Sequence, residues 1–356
     1  MKFVQYQDCK SPHQLPLARE LLRRLGVDNF RFVYRDADQS DRAAMGWKMA
    51  GSDEPWQLHI GSHPEEVREL LENAEVLLTG MREIDLFERR AAKGLKTFYQ
   101  MERWFKPIGF AGCLLPGVVK LLHPCYFSMS RRLRGLAKRS LAFHVLPIGV
   151  HALRDMQLIG VPDASMTTWG YFVEPSRNDV FQSCKVPREP KVCRILWVGR
   201  LLRLKRVDVI VHAVSALKRV NGSLPKVTLD VYGIGPEEDW LRKLAKGHEG
   251  VVAFHPSVSI DEVRKLMREY DVYVFASDGH DGWGAVVSEA LEEGMVVLGT
   301  RETGASATML PQERLFSAGD VQGLIALLRK AAAGEFKATG IGKWSVANAA
   351  NQLLDL

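Results

Sequence analysis

Apolar and polar positions in the second half of the chain alternate with two periods. Short runs rich in branched and aromatic residues read as strands: "CRILWV" (193–198), "VTLDVY" (227–232), "VVAF" (251–254), "DVYVFA" (271–276) and "MVVLGT" (295–300). Between them apolar positions recur at helical spacing. Val207, Ile210, Val211, Val214 and Leu217 form one stripe over 207–219, and 237–246 and 260–269 carry others. Ser259 and Glu262 are spaced as a capping box, and Asp320 is placed to cap a helix running to about residue 332. The first half repeats the theme less regularly. "FVQY" (3–6), "FRFVY" (30–34), "WQLHI" (56–60), "EVLLTG" (75–80) and "KTFYQ" (96–100) read as strands, and 15–26 and 64–74 as helices. After residue 105 the period fades, and "TWGYFVEPSRNDVFQSCKVPREPK" (168–191), with its prolines and charges, reads as a linker.

Strands alternating with helices at this spacing imply βαβ units and parallel sheets covered on both faces. The expected fold class is α/β: two doubly wound Rossmann-like domains facing across a cleft. The expected division is 1–172, a linker over 173–191, and a second domain over 192–335, and "KWSVANAANQLLDL" closes the chain as one helix. In such sheets ligands sit beyond the carboxyl ends of the strands. The loops beginning near residues 7, 199, 233, 277 and 301 are therefore the ones to read for chemistry.

Composition narrows the class. A chain of 356 residues, 46% apolar and 25% charged, can bury two ordinary cores. It contains no apolar run of the ~18–20 residues needed to span a bilayer. The opening "MKFVQYQDCK" turns polar too early for a secretory signal. Cys9, Cys113, Cys125, Cys184 and Cys193 form no CxxC pair, which suits reduced thiols and a cytoplasmic setting better than a disulfide framework or a zinc site. The net charge of +6 points to an anionic partner, and the basic residues cluster in "SRRLRGLAKR" (130–139) and "GRLLRLKR" (199–206).

In the second cluster, Gly199 allows a tight turn after a strand, and Arg200 and Lys205 precede a helix start. A helix N-terminus offers free N–H donors, and a guanidinium and an ammonium beside it suit a phosphate or diphosphate. Solvated surface charge is the plainer reading of the pair by itself. Neither a P-loop nor a GxGxxG follows a strand, and "YGIGPEE" (232–238) supplies only a GxG. The other informative loop is "DGHDGWGAVVSEALEEG" (278–294). Gly282 and Gly284 let backbone N–H groups approach a ligand. Asp281 stands at the mouth and Glu289 on the following short helix, where carboxylates suit the vicinal hydroxyls of a ribose or hexose. Taken singly, Asp281 is also an ordinary acid near a helix start, and Glu289 a solvent-facing one.

Together and in this order, "VGRLLRLK", "YGIGP", S-x3-DGWG-x4-E-A-x3-G-x-V-V and T-x2-TGA resemble the C-terminal domain of retaining glycosyltransferases with the GT-B fold, of family-4 type, over roughly 192–335. "SPHQLPLARELL" and "FYQMERW" are similar to exopolysaccharide- or capsule-type bacterial members, and the final 343–356 resembles the helix that such enzymes pack back on the N-terminal domain. The resemblance implies that Arg200 and Lys205 neutralise the leaving diphosphate and that Glu289 binds the ribose. It places Asp281 on the donor sugar, with N–H groups from Gly282, Trp283 and Gly284. Gly199 belongs to the donor loop, and Gly233 and Gly235 line the base site. Asp281 departs from the family's usual Glu in its E-x7-E pair, retracting the carboxylate by about one C–C bond, ~1.5 Å. Retention of anomeric configuration, through front-face attack on an oxocarbenium-like state, is also implied.

A divalent ion held by paired acids is the other way to stabilise a leaving diphosphate. The D-x-D of Asp36 and Asp38 lies in the first half, away from the donor loops, and reads as a solvated turn; Glu237 and Glu238 fall on a helix start. Transfer without a metal or other cofactor is expected. His13 and Gln14 in the first β-to-α loop, and Glu102 with Arg103 after strand 96–100, are acceptor or cleft candidates. The apolar and basic segment 107–141, interrupted by Pro116 and Pro124, is expected either to pack as a core helix followed by a solvated basic one or to lie on a membrane surface. Nucleic acid is not an expected partner: no aromatic platform or zinc finger accompanies the charge. The expected activity is hexosyl transfer from a UDP or GDP sugar to a glycan or lipid-linked acceptor. The alternatives are a GT-B-fold sugar-nucleotide epimerase or phosphorylase and a non-catalytic nucleotide-sugar binder.

Overall fold

Each half of the chain folds its alternating pattern into one six-stranded parallel sheet. The computed structural model describes residues 1–36, 53–110, 113–176, 192–218 and 226–356. It divides into two compact units, Met1–Phe172 with Val346–Leu356, and Val173–Ser345. Asp38 and most of the expected linker 173–191 lie outside the described residues, and so does the side chain of Asp36.

The first unit runs β1 (Phe3–Cys9), α1 (Leu15–Leu25), β2 (Phe30–Asp36), β3 (Gln57–His59), α2 (Pro64–Asn73), β4 (Val76–Thr79), α3 (Ile84–Ala92) and β5 (Lys96–Met101). An antiparallel pair, β6 (Ile108–Phe110) and β7 (Cys113–Leu115), and a 3-10 turn over Gly117–Leu122 follow. Then come α4 (Pro124–Arg139), β8 (Phe143–Pro147) and α5 (Gly149–Leu158). No core helix occupies the apolar stretch before Pro124: its prolines and glycines interrupt the helical ladder, and the chain takes the hairpin and tight turn instead. Sheet order is β3-β2-β1-β4-β5-β8. All four residues of β4 are buried, as a strand covered on both faces requires.

A cation lies inside this unit. Arg90 of α3 is fully buried and donates to the carbonyls of Leu71, Ala74 and Lys96 and to the Thr97 hydroxyl. Desolvation pushes its guanidinium down to about 10. Leu71 and Ala74 stand at the carboxyl end of α2, whose negative dipole end favours a cation. The side chain thereby ties α2, α3 and β5 together at their ends.

The second unit runs β9 (Val192–Val198), α6 (Val207–Lys218), β10 (Lys226–Tyr232), α7 (Glu238–Leu244), β11 (Val252–His255), α8 (Ile260–Glu269) and β12 (Val272–Phe275). It continues through α9 (Ala285–Glu292), β13 (Val296–Thr300), α10 (Gly304–Met309), β14 (Leu315–Phe316) and α11 (Val321–Ala332). Its order, β11-β10-β9-β12-β13-β14, matches that of the first sheet position for position. The core is drawn from Ile195, Trp197, Val231, Val274 and Leu298 of the strands with Ile210, Val214, Leu324 and Leu328 of α6 and α11. Both expected caps form: Ser259 Oγ accepts from the Glu262 N–H at 3.3 Å and Asp320 from the Gly323 N–H at 2.8 Å. The last helix, α12 (Val346–Asp355), begins after a 3-10 turn over Gly342–Trp344 and belongs to the first unit. There Arg24 of α1 donates to the Ala347 carbonyl at 3.0 Å and to Asn351.

Candidate functional site

In a sheet of this order the strand sequence reverses beside the first strand, and the crevice at that reversal is where ligands sit. In the second unit the reversal falls between β9 and β12, whose outgoing loops are 199–206 and 276–284. The loop after β10 adjoins the first of them. Gly199 N–H donates to the Tyr232 carbonyl, and Leu201 N–H to that of Ile234. A Cβ on Gly233 would lie 1.9 Å from the Gly199 carbonyl oxygen, and one on Gly235 would lie 2.4 Å from that of Leu201. Close loop-to-loop approach is the physical reason for glycine at both positions.

The two cations of the first loop differ. Arg200 is exposed and meets no acid among the described residues, whereas the Lys205 ammonium contacts an Asp281 carboxylate oxygen at 2.6 Å. That ammonium also lies 5.7 Å from the centre of the Phe275 ring. Asp278 N–H donates to the Leu204 carbonyl at 2.9 Å, a second tie between the loops. Arg206 is the one described non-glycine residue in left-handed backbone, at φ +48°. Such a conformation costs about 1–2 kcal/mol and persists where surrounding contacts over-determine it. Here the guanidinium grips Asp208 through Nε at 3.1 Å and Nη2 at 3.0 Å.

The second loop is fastened from below. Gly304 and Ala305 N–H donate to the carbonyls of Gly282 and Trp283, and the N–H groups of Gly282, Trp283 and Gly284 find no acceptor among the described residues. Gly284 caps α9 at φ +86°, with the Phe275 ring where its Cβ would stand. Trp283 reaches the site only through its backbone. Its indole is buried, donates to Ser288 Oγ at 3.4 Å and packs against Trp344 at 6.0 Å between ring centres. The indole is the anchor of the loop.

Glu289, read singly as a solvent-facing acid, is densely surrounded. Burial pushes its carboxyl up to about 7, Arg264 draws it down, and Glu293 raises it further. It and Asp281 both bear on the buried hydroxyl of Tyr273, which donates to the Val198 carbonyl at 3.1 Å. The structure thus brings Asp281, Glu289, Lys205 and the end of β9 into one electrostatic neighbourhood. Arg264 and Arg268, one turn apart on α8, clamp the buried Glu293 at 2.6 and 2.8 Å, while Ser176 donates to it at 3.2 Å. This clamp fixes the carboxyl end of α9. Only the i, i+4 spacing of the arginines hints at it in the sequence. No group of three or more His, Cys, Asp or Glu side chains among the described residues could hold a metal ion.

In the first unit, the equivalent sheet edge gathers a different set. His13 stacks on Tyr171 at 6.5 Å, and the Tyr171 hydroxyl donates to Glu102 at 2.9 Å. Glu102 also pairs with Lys106 at 3.7 Å. Gln14 is the N-cap residue of α1, but its side chain makes no capping bond; its carbonyl accepts from Gln5. Tyr171 falls in the stretch read as linker, where nothing in the local pattern marks it. The loop bearing Glu102 is held by the buried Asp155, which accepts from the N–H groups of Trp104 and Phe105 at 2.7 and 2.9 Å and whose carboxyl is raised by burial.

Comparison with known proteins adds to this geometry. Residues 192–333 match the family model of glycosyl transferases group 1. Over 105 residues the chain is 29% identical to the UDP-N-acetylglucosamine–peptide N-acetylglucosaminyltransferase GtfA subunit of Streptococcus pneumoniae, a match covering 30% of this chain and 20% of that one. The chain spans about a fifth of the length of such curated relatives. Among solved structures, the lipopolysaccharide outer core galactosyltransferase WaaB in its apo form aligns with 100% of this chain and 99% of its own, with a TM-score of 0.67 and 14% identity. HepE from Anabaena in complex with UDP aligns with 100% of this chain and 97% of its own, with a TM-score of 0.61 and 15% identity. The fold is GT-B, and its second unit carries the sequence pattern of a group 1 glycosyltransferase.

Proposed function

We propose that the chain is a retaining glycosyltransferase that moves a hexose from a UDP or GDP sugar to a glycan or lipid-linked acceptor. One observation carries this reading: Arg200, Lys205, the N–H groups of 282–284, Asp281 and Glu289 share the reversal edge of a single sheet. Arg200, Lys205 and the N-terminus of α9 take up charge on the diphosphate as its bond to the sugar C1 breaks and the electron pair leaves with it. The acceptor oxygen bonds C1 on the face the diphosphate has left, and its proton passes to a leaving phosphate oxygen. Glu289 accepts hydrogen bonds from the ribose hydroxyls and Asp281 from the sugar. No metal takes part in this scheme. His13, Glu102 and Tyr171 are assigned to the acceptor.

A lipid-linked acceptor is favoured by the surface of the first unit. Leu122 and Phe127 are 86% and 55% exposed, and Arg131, Arg134 and Lys138 continue outward along the same face of α4. An apolar end followed by a basic stripe suits the surface of an anionic bilayer. No described helix is long and apolar enough to cross a membrane.

Thermal melts with UDP, GDP and their hexose conjugates test the donor site. A rise in Tm with one base supports it, and the absence of a shift with every nucleotide, free or sugar-linked, overturns it. Binding without transfer to any acceptor would identify a nucleotide-sugar binder, and inversion of the bound sugar an epimerase. Co-sedimentation with phosphatidylglycerol vesicles, lost in Phe127→Asp, tests the surface.

A further inference from the structure

The contact between Lys205 and Asp281 carries a consequence for what the site retains. Arg200 is an exposed cation with no acid partner among the described residues, but Lys205 is neutralised by the acid assigned to the sugar. The pair is sheltered, with side-chain exposures of 22% and 15%. Both loops are held for it, by the Asp278-to-Leu204 hydrogen bond on one side and by the Arg206 grip on Asp208 on the other. A diphosphate that claims the ammonium must therefore displace a carboxylate.

What happens next depends on the rest of the ligand. A free nucleoside diphosphate leaves Asp281 beside a phosphate, with its cation taken and no new donor. Like charges at such separations repel, and the sheltered setting weakens the screening that water provides. A nucleotide sugar brings hydroxyl donors to the same carboxylate and meets the lost contact. We propose that Asp281 is a specificity-determining counter-ion, which diphosphate must displace from Lys205 and which sugar hydroxyls then occupy. The site thereby favours the sugar-bearing donor over the nucleoside diphosphate left after transfer. This rests on the donor-site reading above.

The test is calorimetric titration of the full chain and of Asp281→Asn and Asp281→Glu with UDP, GDP and UDP- and GDP-hexoses. With the base that binds, Asp281→Asn is expected to hold the free diphosphate about tenfold more tightly than wild type and to lose its preference for the sugar-bearing form. Asp281→Glu keeps the charge and is expected to stay within about twofold of wild type for the free diphosphate. Free diphosphate bound equally or more weakly by Asp281→Asn, with wild type still binding nucleotide, overturns the counter-ion role alone. Wild type that binds none of the four ligands overturns the donor site and this role together.

Discussion

The two sheets share a strand order, yet their carboxyl edges are built from different chemistry. In the second unit the edge is glycine backbone and unlike charges: Gly233 and Gly235 bring loops close, and Arg200, Lys205, Asp281 and Glu289 supply the field. In the first unit the edge is amides and rings. Gln100 donates to Gln7 at 3.0 Å with both residues buried, and His13, Tyr171 and Glu102 stand nearby in sequence-distant loops. An edge of cations and bare N–H groups suits a charged, fixed ligand such as a diphosphate. An edge of amides, a phenol and a carboxylate suits hydroxyl groups, which need both donors and acceptors. One topology thus supports two kinds of recognition, set by side chains at the same strand ends.

Breaking either edge should expose that asymmetry. The largest expected effect is on turnover. Arg200→Ala removes an exposed cation and should lower kcat by about 10²–10³-fold, as loss of a donor to a developing anion does. Tyr171→Phe removes one hydrogen bond at the other edge and should cost about tenfold, mainly in the KM for acceptor. Steady-state kinetics with saturating donor separates them, and equal losses would erase the distinction. Next comes stability. Gly233→Ala drives a methyl group against the Gly199 carbonyl and should cost about 3 kcal/mol in urea denaturation. Gly94→Ala, at φ +71° with open space around it, should cost about 1 kcal/mol.

A further expected effect is on pH dependence. The Glu289 carboxyl titrates near 7 in the fold against 4.5 in the unfolded chain. Between those values the folded protein holds the extra proton, so this group's contribution to stability is greatest below 4.5 and falls as pH rises towards 7. Glu289→Gln should remove that fall, so its Tm advantage over wild type should widen from pH 5 to pH 8. Nucleotide affinity should change the other way. If ribose hydroxyls donate to the carboxylate, wild-type binding strengthens through pH 7 and the variant shows no such rise. A variant whose melting curve tracks wild type at every pH would place Glu289 in an ordinary solvated setting.

Much of the second unit is legible in the sequence, because its strands are short, branched and bounded by turn residues. Val192–Val198 and Lys226–Tyr232 begin one residue before the runs read from sequence, and the caps at Ser259 and Asp320 rest on local spacing alone. Legibility failed where the deciding partner is remote. Tyr171 gains meaning only from Glu102 and His13, and Glu293 only from two arginines on another helix. Trp283 shows a different failure. A tryptophan between two glycines draws the eye to a ligand, but Trp344, sixty-one positions later in the chain, receives its ring. The segment 107–123 misled for a third reason: apolar content without period cannot distinguish a helix from a hairpin and a tight turn.

The return of α12 to the first unit bears on how such a protein can be recombined. Val346, Ala349, Ala350 and Leu353 are buried, with α12 set against α1 on the first unit. A chimera that exchanges everything after residue 172 would pair one parent's α1 with the other's terminal helix. A graft limited to 173–345 keeps that helix with its native neighbour, so donor preference can be transplanted as an insertion rather than as a C-terminal half.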